Sequence, residues 1–310
     1  MELKRLRLLL EFERRGTVAA VADALNYSPS SVSVQLQELE REVGVKLLRR
    51  VGRNVQLTPA GFRLVEHAQS AVAADEAIQT ELAGLTGQPR GKVRMTFVQT
   101  PALSLLPATL ASLARTAPDL TIEVSQRETA PALEELRSRE VDVVVGLDYD
   151  AAPTRRHRDV DRRDIMREHV LLAVPADDPL AAMDKIALAD VEHAVWAAGH
   201  KGTGHSAAVE SVCNGVGGYA PDIRHRTDDA LILRALVSSG HVVTLLPALI
   251  GTATPQVAVR PVKEGPVLRS IFTAARRTAI GHPGIEAVRE AVHAAARAAT
   301  EGRDDVTALP

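Results

Sequence analysis

Three groups of residues have the types and spacing to do chemistry. The first is Ser28, Pro29, Ser30 and Ser31, continued by Ser33, Val34, Gln35 and Gln37. Small hydroxyls and amides beside one outward methyl-bearing side chain suit hydrogen bonds to phosphates and base edges and contact with a thymine methyl. The second is Arg49, Arg50 and Arg53, three cations within five residues. The third is spread over four short stretches, "QTPA", "QRETA", "GHKGTG" and "TDD". Its polar contacts are Thr100 with Pro101, Thr129, Thr203 and Thr227, with the backbone around Ala198 to His200. Threonines at helix starts, with Lys201, His200 and His205 close in sequence, would suit a small anion. The alternative for each threonine is that it only caps its helix.

Bond-making chemistry finds weaker support. "GHSAA" around Ser206 lacks the last glycine of a nucleophile elbow and follows no clear nucleophile strand. "GTG" from Gly202 is too short for a nucleotide fingerprint. His193, His200 and His205 match no common metal spacing. No catalytic residue, metal site or cofactor is therefore expected. Cys213 is the single cysteine, which rules out an intrachain disulfide and reads as a small buried apolar residue.

The 310 residues are 45% hydrophobic and 25% charged, enough for two or three globular units. Net charge is −2, yet through Gly61 ten basic residues face seven acidic ones. A basic head on an acidic body points to a polyanion partner. The charged start "MELKRLRLLLEFERRG" resembles no signal peptide, and no apolar stretch is long enough to span a bilayer. The expectation is a cytoplasmic protein with no membrane partner.

The elements that must position the first group are short helices. Leu3, Leu6 and Leu10 give a helix ending at Gly16, and Thr17 caps a second through Leu25. Ser28 caps a third, with Pro29 at its first position and Gly44 at its end. Val32, Leu36, Leu39 and Val43 form its buried stripe. Ser30, Ser33, Val34, Gln37 and Arg41 then face outward. "VKLLRR", the turn "VGRN" and "VQL" make a basic hairpin, and Thr58-Pro59 opens a fourth helix. This pattern is a helix-turn-helix with a wing, whose third helix would enter a DNA major groove.

"ADALNYSPSSVSVQLQELEREVGVKLLRR" followed by "GRNVQLTPAG" resembles the winged helix-turn-helix of the LysR-type transcriptional regulators, over residues 1–61 without a gap. One departure stands out. Many members carry arginine where this chain has Val34, so an operator sequence cannot be borrowed from them. The resemblance implies a sequence-specific regulator that binds double-stranded promoter or operator DNA and responds to a small-molecule effector. It also implies a homodimer or a dimer of dimers, with RNA polymerase among the partners.

A helix over residues 62–88 would carry a heptad seam of Leu64, Ala68, Ala71, Asp75, Ile78, Leu82 and Leu85, which pairs with a second copy or packs on its own chain. Beyond it the order is β-α-β-α-β, repeated, which predicts parallel sheets covered by helices. The fold class expected is an α/β effector domain of two subdomains, periplasmic-binding-protein-like, preceded by an α-rich winged domain and a long linker helix. Residues 89–300 form the effector domain, with subdomain I about 91–160 and 266–300 and subdomain II about 161–265. The third group then lies beyond the carboxyl ends of strands, and the resemblance places Thr100 and Thr129 where the family contacts effectors. The interleaved charges from Arg155 to Asp164 read as a self-paired connection, and residues 301–310 as a frayed tail. A stand-alone solute-binding protein or a small-metabolite enzyme of α/β fold is the alternative. Both leave the serine-capped helix and the basic hairpin unexplained.

Overall fold

The computed structural model describes residues 1–52, 54–250 and 254–309, and the chain divides into two units, Met1–Thr86 and Gly87–Pro310. The first unit contains α1 (Leu3–Arg15), α2 (Val18–Leu25), α3 (Pro29–Val43), the hairpin β1 (Leu48–Val51) and β2 (Asn54–Leu57), and α4 (Pro59–Thr86). Local chemistry sets its helix ends. Thr17 Oγ1 accepts from the Ala20 N–H and Ser28 Oγ from the Ser31 N–H, each replacing an intrahelical partner the first turn lacks. Gly16 and Gly44 end α1 and α3 with φ of 75° and 72°, where a side chain would be strained. Leu6, Leu9, Phe12, Val21, Val32, Leu36 and Leu39 close one core with Leu47, Leu57, Val65 and Ala68.

Two features seat the hairpin. The buried Glu40 carboxylate accepts from the Leu47 and Leu48 N–H groups at 2.9 and 3.0 Å and from Lys46 Nζ at 2.8 Å. The start of α4 crosses so close that a Cβ on Gly61 would lie 2.4 Å from the Leu47 carbonyl oxygen.

The fourth helix begins at Pro59, as the Thr58-Pro59 pair implies, and runs unbroken through the linker segment to Thr86. Its seam divides. Leu64, Ala68 and Ala71 pack into the core of the first unit, and Asp75 pairs with Arg7 at 3.1 Å. Ile78, Leu82 and Leu85 remain 46, 52 and 80% exposed.

The second unit is one mixed sheet with helices on it. Its elements are β3 (Gly91–Phe97), α5 (Gln99–Thr116), β4 (Leu120–Gln126), α6 (Thr129–Arg137), β5 (Val143–Tyr149), β6 (Val160–Pro175), β7 (Val195–Ala198), α7 (Gly204–Ser211), β8 (Asp222–Arg226), α8 (Ala230–Val237), β9 (Val242–Pro247), β10 (Val257–Arg260), β11 (Val267–Arg276), α9 (Pro283–Thr300) and β12 (Val306–Ala308). The sheet order is β4-β3-β5-β11-β6-β9-β7-β8. β4, β3 and β5 are parallel, as are β9, β7 and β8. The antiparallel strands β11 and β6 join the two triplets, so this unit is two α/β lobes sharing crossing strands.

Three expectations need correction. The charged stretch up to Asp164 is not all connection, because β6 starts at Val160 and is sixteen residues long. Its first half pairs with β11 and its last residues with β9 and β10, so the lobes meet inside this strand. The stretch is self-paired only in part: Arg156 and Arg162 bind Asp164 and Arg163 faces Asp161, but Arg162 also binds Asp148, Arg163 binds Glu286, and Asp159 and Asp161 serve Arg137 and Arg289. The end of the chain is no frayed tail, since β12 pairs with β6 and Val306 is buried. Finally, "HSAAVESVCNG" reads as one helix, whereas Ser211 ends α7 and a π-helical turn follows over Val212–Gly217. Among the described residues no helix is long and apolar enough to cross a membrane.

Candidate functional sites

The first candidate site is the outer side of α3 with the hairpin. Val32, Leu36 and Leu39 are buried against α1 and α2, which turns Ser30, Val34 and Gln37 to solvent. Val34 is 52% exposed, an apolar side chain kept in water by the geometry of its helix. Ser28 and Ser30 hydroxyls lie 2.9 Å apart beside Pro29 at the exposed helix start, Ser31 is exposed, and Ser33 is half-buried. Gln35 is different: its Oε1 accepts from Arg5 Nε at 3.1 Å, so it fastens α3 to α1. Arg41 is held by Glu38 of its own helix at 2.7 Å. On the hairpin, Arg49 stands opposite Gln56 and Arg50 opposite Val55, so successive arginines project to opposite faces of the wing, both exposed. Arg53 lies outside the described residues.

The second candidate site is a cavity of about 340 Å³ at the carboxyl ends of both parallel strand triplets. Thr100, Thr129 and Thr203 line it, as expected. Pro101, Ala198, His200 and Thr227 do not. Pro101 is buried in the first turn of α5, and Ala198 is a core residue of β7 whose carbonyl accepts from the Thr227 N–H. Thr227 Oγ1 accepts from the Asp229 N–H in a local turn, and Asp229 itself caps α8; the capping alternative holds instead for Thr203, whose Oγ1 accepts from the Ser206 N–H at the start of α7. His200 is exposed, and its ring and N–H both bond Asp228 at 2.9 Å.

The sequence placed the stretches that hold Glu128 and Asp228 but did not disclose the cation at the centre. Arg269 of β11 is 2% exposed. Its Nε donates to Glu168 Oε1 at 2.7 Å, Nη1 to the Tyr149 hydroxyl at 3.2 Å and Nη2 to Thr100 Oγ1 at 2.7 Å. Thr100 therefore holds the arginine, and Thr129 is satisfied by both backbone groups of Leu147. Glu128 of one lobe and Asp228 of the other both line the cavity. Burial, and then the Asp228 carboxylate, push the Glu128 carboxyl up to about 7 against the pull of Arg269. His205 is kept neutral by its position: burial lowers its pKa, Nδ1 accepts from the Gly199 N–H and Nε2 faces the Leu245 carbonyl. Lys201 is not in the lining either, so of the three side chains expected to attract an anion only His205 lines the cavity. A single arginine within the apolar run "PVLRSIF" was the available signal for this centre.

The lobes are already joined by side-chain contacts: Ser104 of α5 donates to the Leu249 carbonyl after β9 at 3.2 Å, and the rings of Tyr149 and His205 meet edge to face. Gln99 Oε1, at the start of α5, accepts from the Ala230 N–H at the start of α8, at 2.8 Å.

Residues 3–62 match the family described as bacterial regulatory helix-turn-helix protein, lysR family, and residues 86–297 match the LysR substrate binding domain. The chain belongs to the LysR family of transcriptional regulators. Its relatives include the transcriptional dual regulator GltC of Bacillus subtilis, 28% identical over 273 residues that cover 87% of this chain and 89% of GltC. A probable hydrogen peroxide-inducible genes activator of Mycobacterium avium is 32% identical over 199 residues, 63% of this chain and 62% of that protein. A full-length OxyR variant from Pseudomonas aeruginosa has the same fold, with a TM-score of 0.63, 22% identity and coverage of 94% of each chain. Full-length CbnR solved with its target DNA has a TM-score of 0.55 and 23% identity, covering 96% of this chain and all of that one. This LysR-family chain thus pairs a helix-turn-helix DNA-binding domain with an effector-binding domain.

Proposed function

We propose that this regulator reads its operator through Ser30, Ser33, Val34 and Gln37 of α3, with Ser28, Pro29 and Ser31 placing the helix start against a phosphate. Arg49 and Arg50 follow the backbone, and Arg53, outside the described residues, would add a third cation by its place in the sequence. The observation that carries this is the outward face of α3: a capped, slim helix start and a half-exposed valine, with the acidic Glu40 turned inward. The exposed run Ile78, Leu82 and Leu85 provides the seam for a second copy, and a two-fold pair would place two wings on a pseudo-palindromic site. That pair is the minimal unit the seam supports; dimers of dimers and contact with RNA polymerase follow the family pattern.

The effector sits in the 340 Å³ cavity, within the range of small organic ligands. Arg269 already has Glu168 as its counter-ion, leaving Glu128 and Asp228 as the charges that face a ligand. Those two carboxyls favour a ligand with a cationic or hydrogen-bond-donating end over a simple anion. Relatives named for hydrogen peroxide raise a thiol-sensing alternative. Cys213 argues against it, being fully buried and pushed up to about 11 by that burial, so little thiolate exists at neutral pH.

DNase footprinting with the full chain on promoter DNA tests the reading. Protection should appear and weaken steeply with salt, as counterions are released. Absence of protection at low salt would overturn it.

A further inference from the structure

A second cavity, about 110 Å³, lies between α9 and the strand pair β6–β11. Arg163, Thr273, Arg289, Glu290, His293 and Arg297 line it, and none of them lines the first cavity. Arg163 and Thr273 are direct cross-strand partners, so the floor is rigid. Arg289 is 1% exposed. Its Nη1 donates to Asp161 at 2.6 Å and its Nε to Thr273 Oγ1 at 3.3 Å. Its Nη2 has no hydrogen-bond partner among the described residues, and neither does the buried Nε2 of His293. A buried guanidinium N–H without an acceptor is costly, and folded proteins seldom leave one so.

The charge balance favours an acceptor that is negative. Asp161 serves both Arg289 and Arg163, and Glu286 also serves Arg163. Glu290 and Arg297 are exposed at the rim. At the inner end positive charge prevails. Burial, and then Arg297, Arg163 and Arg289, hold His293 below its ordinary value. Burial lowers Arg289 too, with Asp161 and Glu286 opposing and Arg163 adding to the effect. The volume matches roughly three or four waters and falls below the roughly 300 Å³ at which organic-ligand pockets begin.

We infer that this pocket binds a small inorganic oxyanion of the phosphate or sulfate class, whose oxygens accept from Arg289 Nη2 and the His293 ring, with Arg163 and Arg297 closing its mouth. The site sits on the strands that join the two lobes, separate from the effector cavity.

The test is thermal unfolding of the full chain, read through Trp196, the single tryptophan, which is buried in the second unit. At ionic strength matched with chloride, phosphate should raise the midpoint saturably, and sulfate should compete. Arg297→Gln alters an exposed side chain, so the fold persists; the half-saturating phosphate concentration should rise about tenfold, as for loss of one charge-assisted contact. Arg224→Gln, at an exposed arginine of β8 that lines neither cavity, should leave the response unchanged. Crystals soaked in selenate should show anomalous density between Arg289 and His293. Phosphate stabilising no more than chloride, a response undiminished in Arg297→Gln, or water alone between those two side chains would each overturn the site.

Discussion

Replacing Arg269 with methionine removes the guanidinium at the centre of the larger cavity while retaining most of its apolar bulk. Glu168, 1% exposed, then stays buried without its counter-ion, still accepting from the Leu249 N–H at 2.8 Å, and Thr100 and Tyr149 lose their shared donor. Breaking a buried pair from one side costs about 3–5 kcal/mol, because the other charge is left uncompensated. In a unit of this size each kcal/mol moves the melting midpoint by about 2–4 °C, so Arg269→Met should melt roughly 10 °C earlier. Adding Glu168→Gln removes the stranded charge while the amide can still accept from Leu249. The double variant should therefore recover more than half of the loss, a coupling of about 2 kcal/mol. Trp196 fluorescence during urea unfolding measures all four species in one unit of the protein. A parent-like midpoint for Arg269→Met, or a double variant no more stable than the two losses added together, would refute the account of this pair.

Three further outcomes are expected. Val34→Ala should cost about 1 kcal/mol, near fivefold in affinity, at one thymine-containing operator position, and binding-site selection should show preference relaxed at that position. Gly61→Ala should destabilise the first unit by about 1–3 kcal/mol, since the new methyl meets the Leu47 backbone oxygen; urea denaturation followed by operator binding reads this out. Glu40 is held below the usual carboxylate range: burial opposes this, but Lys46 and the Leu48 and Leu47 N–H groups outweigh it. Its contribution is thus complete above the unfolded value of about 4.3 and lost as pH falls through the lower folded value. Hydrogen-exchange protection at Leu47 and Leu48 should fall over that acid window in the parent and much less in Glu40→Gln.

What can be read from the sequence follows the range of each interaction. Thr17, Ser28, Pro29, Gly16 and Gly44 act within one turn of their own position, so the boundaries of α1 to α3 are legible. The stripe Val32, Leu36, Leu39 needs only the helical period, which also sets where Val34 points. The larger cavity depends on contacts between distant residues, and there legibility falls. Arg269 meets Thr100 across 169 positions and Glu168 across 101. Thr100, Thr203 and Glu128, which stands in "QRETA", are traceable because helix starts mark strand ends, whereas Tyr149 and Arg269 have no local mark. His200 looks like a ligand group for the same reason: its partner Asp228 is 28 residues away.

The same geometry bears on how a ligand could act. A ligand shifts two lobe arrangements only by binding them unequally. The Gln99–Ala230 bond already joins the lobes, so some closure exists without any ligand. Against it stand Glu128 and Asp228, like-signed groups on opposite lobes, whose repulsion is what helps lift Glu128 to about 7. A proton on Glu128 relieves that repulsion, and so does a ligand cation between the two. These two routes compete for one site, so an effector of this kind should bind more weakly as pH falls through about 7 and should release a proton when it binds.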